Sequence, residues 1–220
     1  MNLANNSQDK TGQQLDPLRT HDLPTQDAMS EFMKTGWAAD EEEIISAHPV
    51  TAYTKLRREK LSKSYLGKRL IFPAGCLKIR SNDTDYLFRA HSVFAWITGV
   101  IASDTVPDSV FIMEPAGDGH EPYLFVHPRS SRDSDQFYKN TRYGEFWIGK
   151  RLSLNQTQSK YQITVREVDQ IESFLSNKID SIIIRGQDLK IDQLVDANTE
   201  LEAEFLNTNS ILRMIKDEYE

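Results

Sequence analysis

The chain has 220 residues, 33 acidic against 26 basic side chains, a net charge of −7 and a hydrophobic content of 39%. That size suits one large domain with tails, whose core needs no metal or disulfide to hold it. The acidic balance, with no clustered basic face, argues against a nucleic-acid binder and against an anionic membrane surface, and no apolar run reaches the ~18 residues of a spanning helix.

Met1 to about Gln26 is polar and reads as a flexible tail, residues 1–26, with neither the basic nor the apolar region of a secretory signal. The lone cysteine, Cys76, cannot form an intramolecular disulfide, and together these features point to a cytoplasmic protein. In "DAMSEFMKTGW", Met29, Phe32 and Met33 fall at helical spacing and Gly36 stops the helix. The acidic run Asp40 to Glu43 follows as a solvated linker, so residues 27–46 form a short helix and linker.

The folded domain is expected over residues 47–207. "HPVTAYTKLRREKLSKSYL" is a helix with Pro49 in its first turn and Tyr53, Leu56 and Leu61 on its apolar face. "RLIFPAG" is a short buried strand, and "SVFAWITG" reads as a second one, ended by Gly99. "DSVFIMEP" and "PYLFVHP" flank "AGDGHE", with Gly117 and Gly119 at the turn of a hairpin. Both arms are apolar on successive residues, which implies a central hairpin covered on both faces. Thr164 to Glu167 has the spacing of a capping box opening a helix through Val168, Ile171, Phe174 and Leu175. "DSIIIRG" is another buried strand, and a last helix spans roughly Ile191 to Phe205. The order gives an α/β fold, a mixed β-sheet flanked by helices.

No complete catalytic set is visible. The histidines are scattered, and "HEPYL" places Leu124 where a zinc-protease helix needs its second histidine, so His120 reads as a hairpin residue. "GDG" lacks the third glycine of a phosphate cradle, and Cys76 has no neighbouring histidine. Asp83 and Asp85 are too few to hold a metal.

The ordered set "RSNDTDYLFRAHSVFAWITG", "PDSVFIMEP", "YLFVHPR" and "GEFWIGKRLS" resembles the amino-terminal domain of aminopeptidase P, the Xaa-Pro aminopeptidase family. Arg80, Ser81, Asn82, Asp83, Phe88, Arg89, Phe94, Thr98, Gly99, Pro107, Asp108, Trp147, Gly149 and Arg151 carry it. The resemblance implies the amino-terminal fold shared with creatinase and a separate catalytic domain. That domain would hold two divalent metals, usually manganese, on two aspartates, a histidine and two glutamates. This chain is expected to bind no metal itself, since none of those ligands has a matching position. "SILRMIKDEYE" resembles the start of the linker into the catalytic domain, placing residues 208–220 there.

The resemblance further implies a homo-oligomer, partnership with the catalytic domain or other subunits, and a proline-containing peptide as substrate of the whole. Trp147 is the implied pocket residue, reaching a neighbouring subunit's substrate. On a strand, Phe146 and Ile148 would point away from it. Arg151 is expected to pair with a carboxylate across that interface. Asn82, Asp83 and Arg89 divide between a plain turn with local hydrogen bonds and a subunit contact. The reading of a different class is a peptidase-like module that binds peptide or protein without catalysis; a creatinase- or prolidase-type parent is a third.

Overall fold

The computed structural model describes residues 27–82 and 84–195. The expected tail, Asp83, the last helix beyond residue 195 and the expected linker at 208–220 lie outside the described residues. The first elements are α1 (Asp27–Met33), α2 (Val50–Ser64), β1 (Arg69–Pro73), β2 (Ile79–Ser81), β3 (Thr84–Asp85) and α3 (Ser92–Thr98). The hairpin strands β4 (Val110–Ala116) and β5 (Gly119–Val126) follow, then α4 (Gln136–Lys139), α5 (Glu145–Ile148) and α6 (Leu154–Tyr161). The chain continues through β6 (Thr164–Glu167), α7 (Ile171–Leu175), β7 (Ser181–Ile183) and α8 (Leu189–Leu194). No helix among the described residues is long and apolar enough to cross a membrane.

These elements sort into two compact units. The larger takes Ala39–Leu77, Leu87–Arg129 and the described part of Arg151–Glu220. Its sheet has the order β6-β5-β4-β1-β7, antiparallel across β5-β4-β1 and parallel at both outer pairs. This is the mixed sheet with flanking helices expected from the sequence. The hairpin is central, closed by a two-residue turn between Ala116 and Gly119 with Gly117 at positive φ. Successive apolar residues are both used because each strand is covered twice. Leu70, Phe72, Phe111, Met113 and Leu124 face a cluster shared with α2, α3 and α6, while Ile71, Val110, Ile112 and Phe125 face α7 and α8. Each such burial is worth roughly 1.5–3 kcal/mol.

Three sequence expectations are corrected here. "SVFAWITG" is helical, not a strand. His91 accepts the Val93 amide as N-cap, Thr98 Oγ1 donates to Phe94 O at 2.7 Å, and Gly99 ends the helix in the left-handed region. Phe94, Ile97 and Thr98 are its buried residues, the i, i+3, i+4 stripe of a helix face. A Cβ on Gly99 would lie 2.7 Å from Val50 Cγ1, so glycine also lets α2 approach. Thr164–Glu167 is strand β6 rather than a capping box, because its backbone pairs in parallel with Tyr123–Val126. A 3-10 turn at Val168–Gln170 then leads into the α-helix, which begins at Ile171.

The third concerns α2. Leu56 is 49% exposed, and the buried positions are Val50, Thr54, Arg57, Arg58, Leu61 and Ser62. Two arginines occupy the inner face because their stems pack as hydrocarbon while their heads reach polar atoms. Arg57 donates to Trp96 O at 3.0 Å and Arg58 to Ile97 O at 3.1 Å, both in the last turn of α3. Those carbonyls have no partner within the helix, and cations at a helix C-terminus also meet its dipole favourably.

The smaller unit takes the described part of Met1–Ala38 with Lys78–Tyr86 and Ser130–Lys150. It contains α1, the β2–β3 ribbon, α4 and α5. Gly36 has the positive φ expected of a helix stop, though Met29 and Phe32 are exposed.

Candidate functional site

Trp147 lies in the smaller unit on α5, a single turn of helix between Gly144 and Gly149, and not on the strand expected from the sequence. The alternation that would have set Phe146 and Ile148 opposite Trp147 is therefore absent. The indole is 49% exposed, stacks on Tyr138 with ring centroids 5.6 Å apart, and donates from Nε1 to Tyr138 O at 2.7 Å. Phe146 meets the indole itself edge-on, with ring centroids 5.1 Å apart, and also meets Trp37, Phe137 and Tyr138 edge-on. The result is an indole with one face braced and its N–H occupied, leaving apolar surface for a partner. This is a surface suited to binding an apolar group.

The remaining sequence-derived residues are distributed between the units. Asn82 belongs to the smaller one, at φ 46° in the β2–β3 turn, a conformation asparagine tolerates better than most residues. Arg89 and Arg151 belong to the larger. Arg89 is exposed between Phe88 and Ala90, which pack on the core. The Arg151 guanidinium donates to His127 O at 3.3 Å and to Pro128 O at 2.8 Å, so its observed partners include backbone carbonyls. It anchors the chain just after β5.

Sequence reading overlooked one convergence of metal-competent groups. Ligand atoms of Cys76, Asp108 and Asp188 lie within 4.8 Å of one another, the single such group among the described residues. It does not fit a dinuclear manganese centre. One donor is a thiol, too soft for manganese, and Asp188 Oδ1 is already committed to the amides of Lys190 and Ile191 as the N-cap of α8. Burial, chiefly, holds the Asp188 carboxyl above the usual carboxylate range, with the charges of Asp108 and Asp192 adding and the two amides opposing. The sign follows. A carboxyl raised in the folded state contributes stability below its ordinary pKa of about 3.9, and that contribution is lost as pH rises through the folded value. Asp188→Asn keeps a capping oxygen without the charge. Its melting temperature is expected to gain on the wild type as pH is raised from 3.5 toward neutrality. Parallel melting curves across that range would contradict the buried-carboxylate account.

The family model of the aminopeptidase P N-terminal domain matches residues 54–183. Xaa-Pro aminopeptidase 1 of Streptomyces coelicolor is 37% identical over 88% of this chain, which spans 39% of that relative's length. Xaa-Pro aminopeptidase 2 of the same organism is 35% identical over 87%, and the chain spans 40% of it. Among solved structures, the aminopeptidase P of Escherichia coli with the inhibitor Pro-Leu superposes with a TM-score of 0.55 at 21% identity, over 74% of this chain and 34% of that one. The proline aminopeptidase P II of Yersinia pestis gives 0.52 at 24% identity, over 66% of this chain and 31% of that one. At such identities the structures speak for the fold alone. With more than half of its residues matched by the family model, the chain belongs to the aminopeptidase P N-terminal domain family.

Proposed function

We propose that this chain is the noncatalytic amino-terminal part of a manganese-dependent Xaa-Pro aminopeptidase, shaping access to the substrate and supporting oligomerisation. The observation that carries the reading is the braced, half-exposed indole of Trp147. Tyr138 and the Nε1 hydrogen bond fix its orientation, so little side-chain entropy is lost when it meets a partner. An indole face suits a prolyl ring, and closing such a contact around a catalytic centre excludes water. Residues 47–207 form the domain in this reading, preceded by the helix and linker at 27–46 and followed by the connection at 208–220. Arg151, Arg89, Asn82 and Asp83 are assigned to interface or pocket-rim support. The manganese pair belongs to a catalytic domain, and the proline-containing peptide is the substrate of the whole assembly.

The test replaces the matched segment of the Streptomyces coelicolor Xaa-Pro aminopeptidase 1 with this chain and compares the chimaera with its Trp147→Ala variant. The expected result is a kcat/KM lowered by about tenfold or more on a dipeptidyl Xaa-Pro substrate, the scale of one lost aromatic contact in the transition state. Manganese content and melting temperature should stay unchanged. A chimaera that holds manganese and cleaves equally well with and without Trp147 removes the indole from the pocket.

A further inference from the structure

A cleft of about 650 Å³ opens in the larger unit where α2 lies against β5. Its size is that of a small-molecule site. Lys55, Arg58 and Lys63 of α2 reach it from one side, and Gly119, His120 and Pro122 of β5 line the other. Glu59 and Asp118 also line it, so three cations face two carboxylates on a protein whose overall charge is −7.

Arg58 is the feature that calls for a ligand. Its residue is only 7% exposed. A guanidinium has five N–H donors, and Arg58 uses Nη1 toward Ile97 O with no ion pair among the described residues. Burial lowers its pKa to about 10, with the Glu59 charge opposing. The end of α3 offers at most about half a negative charge, so much of the arginine's charge is left uncompensated. The contrast with Arg69 in the same unit is direct. Arg69 is more buried still, at 2% exposed, and it grips both oxygens of Glu114, at 2.6 and 2.8 Å.

The wall beside Arg58 is pre-set. His120 Nε2 lies 2.7 Å from Lys68 O, which can only accept, so Nε2 carries the proton. Nδ1 is then the acceptor of the Ser62 hydroxyl at 2.8 Å. Both groups are satisfied by each other and by the backbone. They hold the strand against the helix and leave Lys55, Lys63 and the donors of Arg58 other than Nη1 without a protein partner among the described residues. Met113 and Pro122 add apolar wall for the body of a ligand.

We propose that the cleft between α2 and β5 binds a small organic oxyanion, a carboxylate or a phosphate monoester, whose oxygens take the unused donors of the buried Arg58. Lys55 and Lys63 provide the second and third positive charges at its rim. The proposal is independent of the pocket role assigned to Trp147, which lies in the other unit.

The test titrates the intact chain, labelled with nitrogen-15, with inorganic phosphate and separately with succinate, sodium chloride holding the ionic strength constant. Saturable shifts of the Arg58 side-chain Nε–H and of the Ser62 and His120 amides are expected from at least one probe. Saturation by phosphate alone identifies the phosphate class, and saturation by succinate alone the carboxylate class. Arg58→Met should weaken binding by at least about tenfold, as loss of a charge-assisted bidentate contact does. The exposed Lys63→Gln should weaken it about threefold, through charge alone. Shifts that rise linearly with both probes overturn the proposal. So does a folded Arg58→Met chain that binds as the wild type does. If Arg58→Met fails to fold, an unchanged dissociation constant for Lys63→Gln overturns it instead.

Discussion

Glu114→Ala is expected to cost the larger unit about 3–5 kcal/mol, the penalty for stripping one partner from a buried ion pair. Arg69 is 2% exposed; its Nε and Nη2 form a two-pronged contact with Glu114, and its Nη1 donates to Asn177 O at 3.2 Å. The pair sits one step beyond the Leu70↔Met113 register, tying the first strand to the hairpin, and the guanidinium lies 5.7 Å from the centre of the Phe174 ring. Removing the carboxylate leaves a planar cation, 2% exposed, with Asn177 O as its remaining hydrogen-bond acceptor among the described residues. The double change Arg69→Met with Glu114→Met should recover most of the loss, because well-packed apolar replacements of buried pairs are often neutral or better. Urea unfolding of the two variants measures both quantities. A loss for Glu114→Ala below about 1 kcal/mol would place the pair with surface salt bridges and refute its structural weight.

Arg69 also shows which parts of this fold can be read from sequence. The hairpin was legible because its two apolar runs are unbroken and meet at a glycine-rich turn, a pattern few other structures share. Strands β1 and β7 were legible for the same reason, being short and apolar on every residue. "SVFAWITG" was misread because its five successive apolar residues, Val93 to Ile97, satisfy either a buried strand or a buried helix. The decision lies in the His91 cap and in the left-handed Gly99, which also has to leave room for Val50 of the packed α2. Thr164–Glu167 carries a capping pattern that parallel pairing with β5 overrides. The burial of Arg57, Arg58 and Arg69 left no sequence signal, since each is set by carbonyls or a carboxylate distant in sequence. For that reason the cleft at Arg58 was invisible from the sequence. The Trp147 segment was found through family resemblance, but its strand geometry was wrong, because four residues between two glycines give no period to read.

Those two glycines are needed for different reasons, and Gly144→Ala separates them. Gly144 has φ −67°, which any residue adopts, so the constraint is space. A Cβ there would lie 2.4 Å from Phe137 O, 2.5 Å from Asn140 O and 2.6 Å from Gln136 O, all backbone atoms of α4 and its end. Those carbonyls cannot rotate aside as a side chain would. The Gly144 amide donates to Asn140 O at 2.8 Å, and the Gly144 carbonyl accepts from Trp147 N at 3.0 Å and Ile148 N at 3.2 Å. Moving Gly144 therefore moves the turn that carries the indole. Gly149, by contrast, has open space around its Cβ position but sits at φ 85°, ψ 172°, a region side chains other than hydrogen rarely enter. Gly149→Ala is expected to cost about 1–3 kcal/mol as backbone strain, with the Trp147–Tyr138 stack kept. Gly144→Ala is expected to cost at least about 3 kcal/mol, the upper end of overpacking losses, and to separate the stack and break the Nε1 hydrogen bond to Tyr138 O. Urea unfolding gives the energies, and the nitrogen-15 shift of the Trp147 indole reports whether its hydrogen bond survives. A Gly144→Ala chain with wild-type stability and an unshifted indole resonance would show that α4 yields freely and that the indole is not held by this turn.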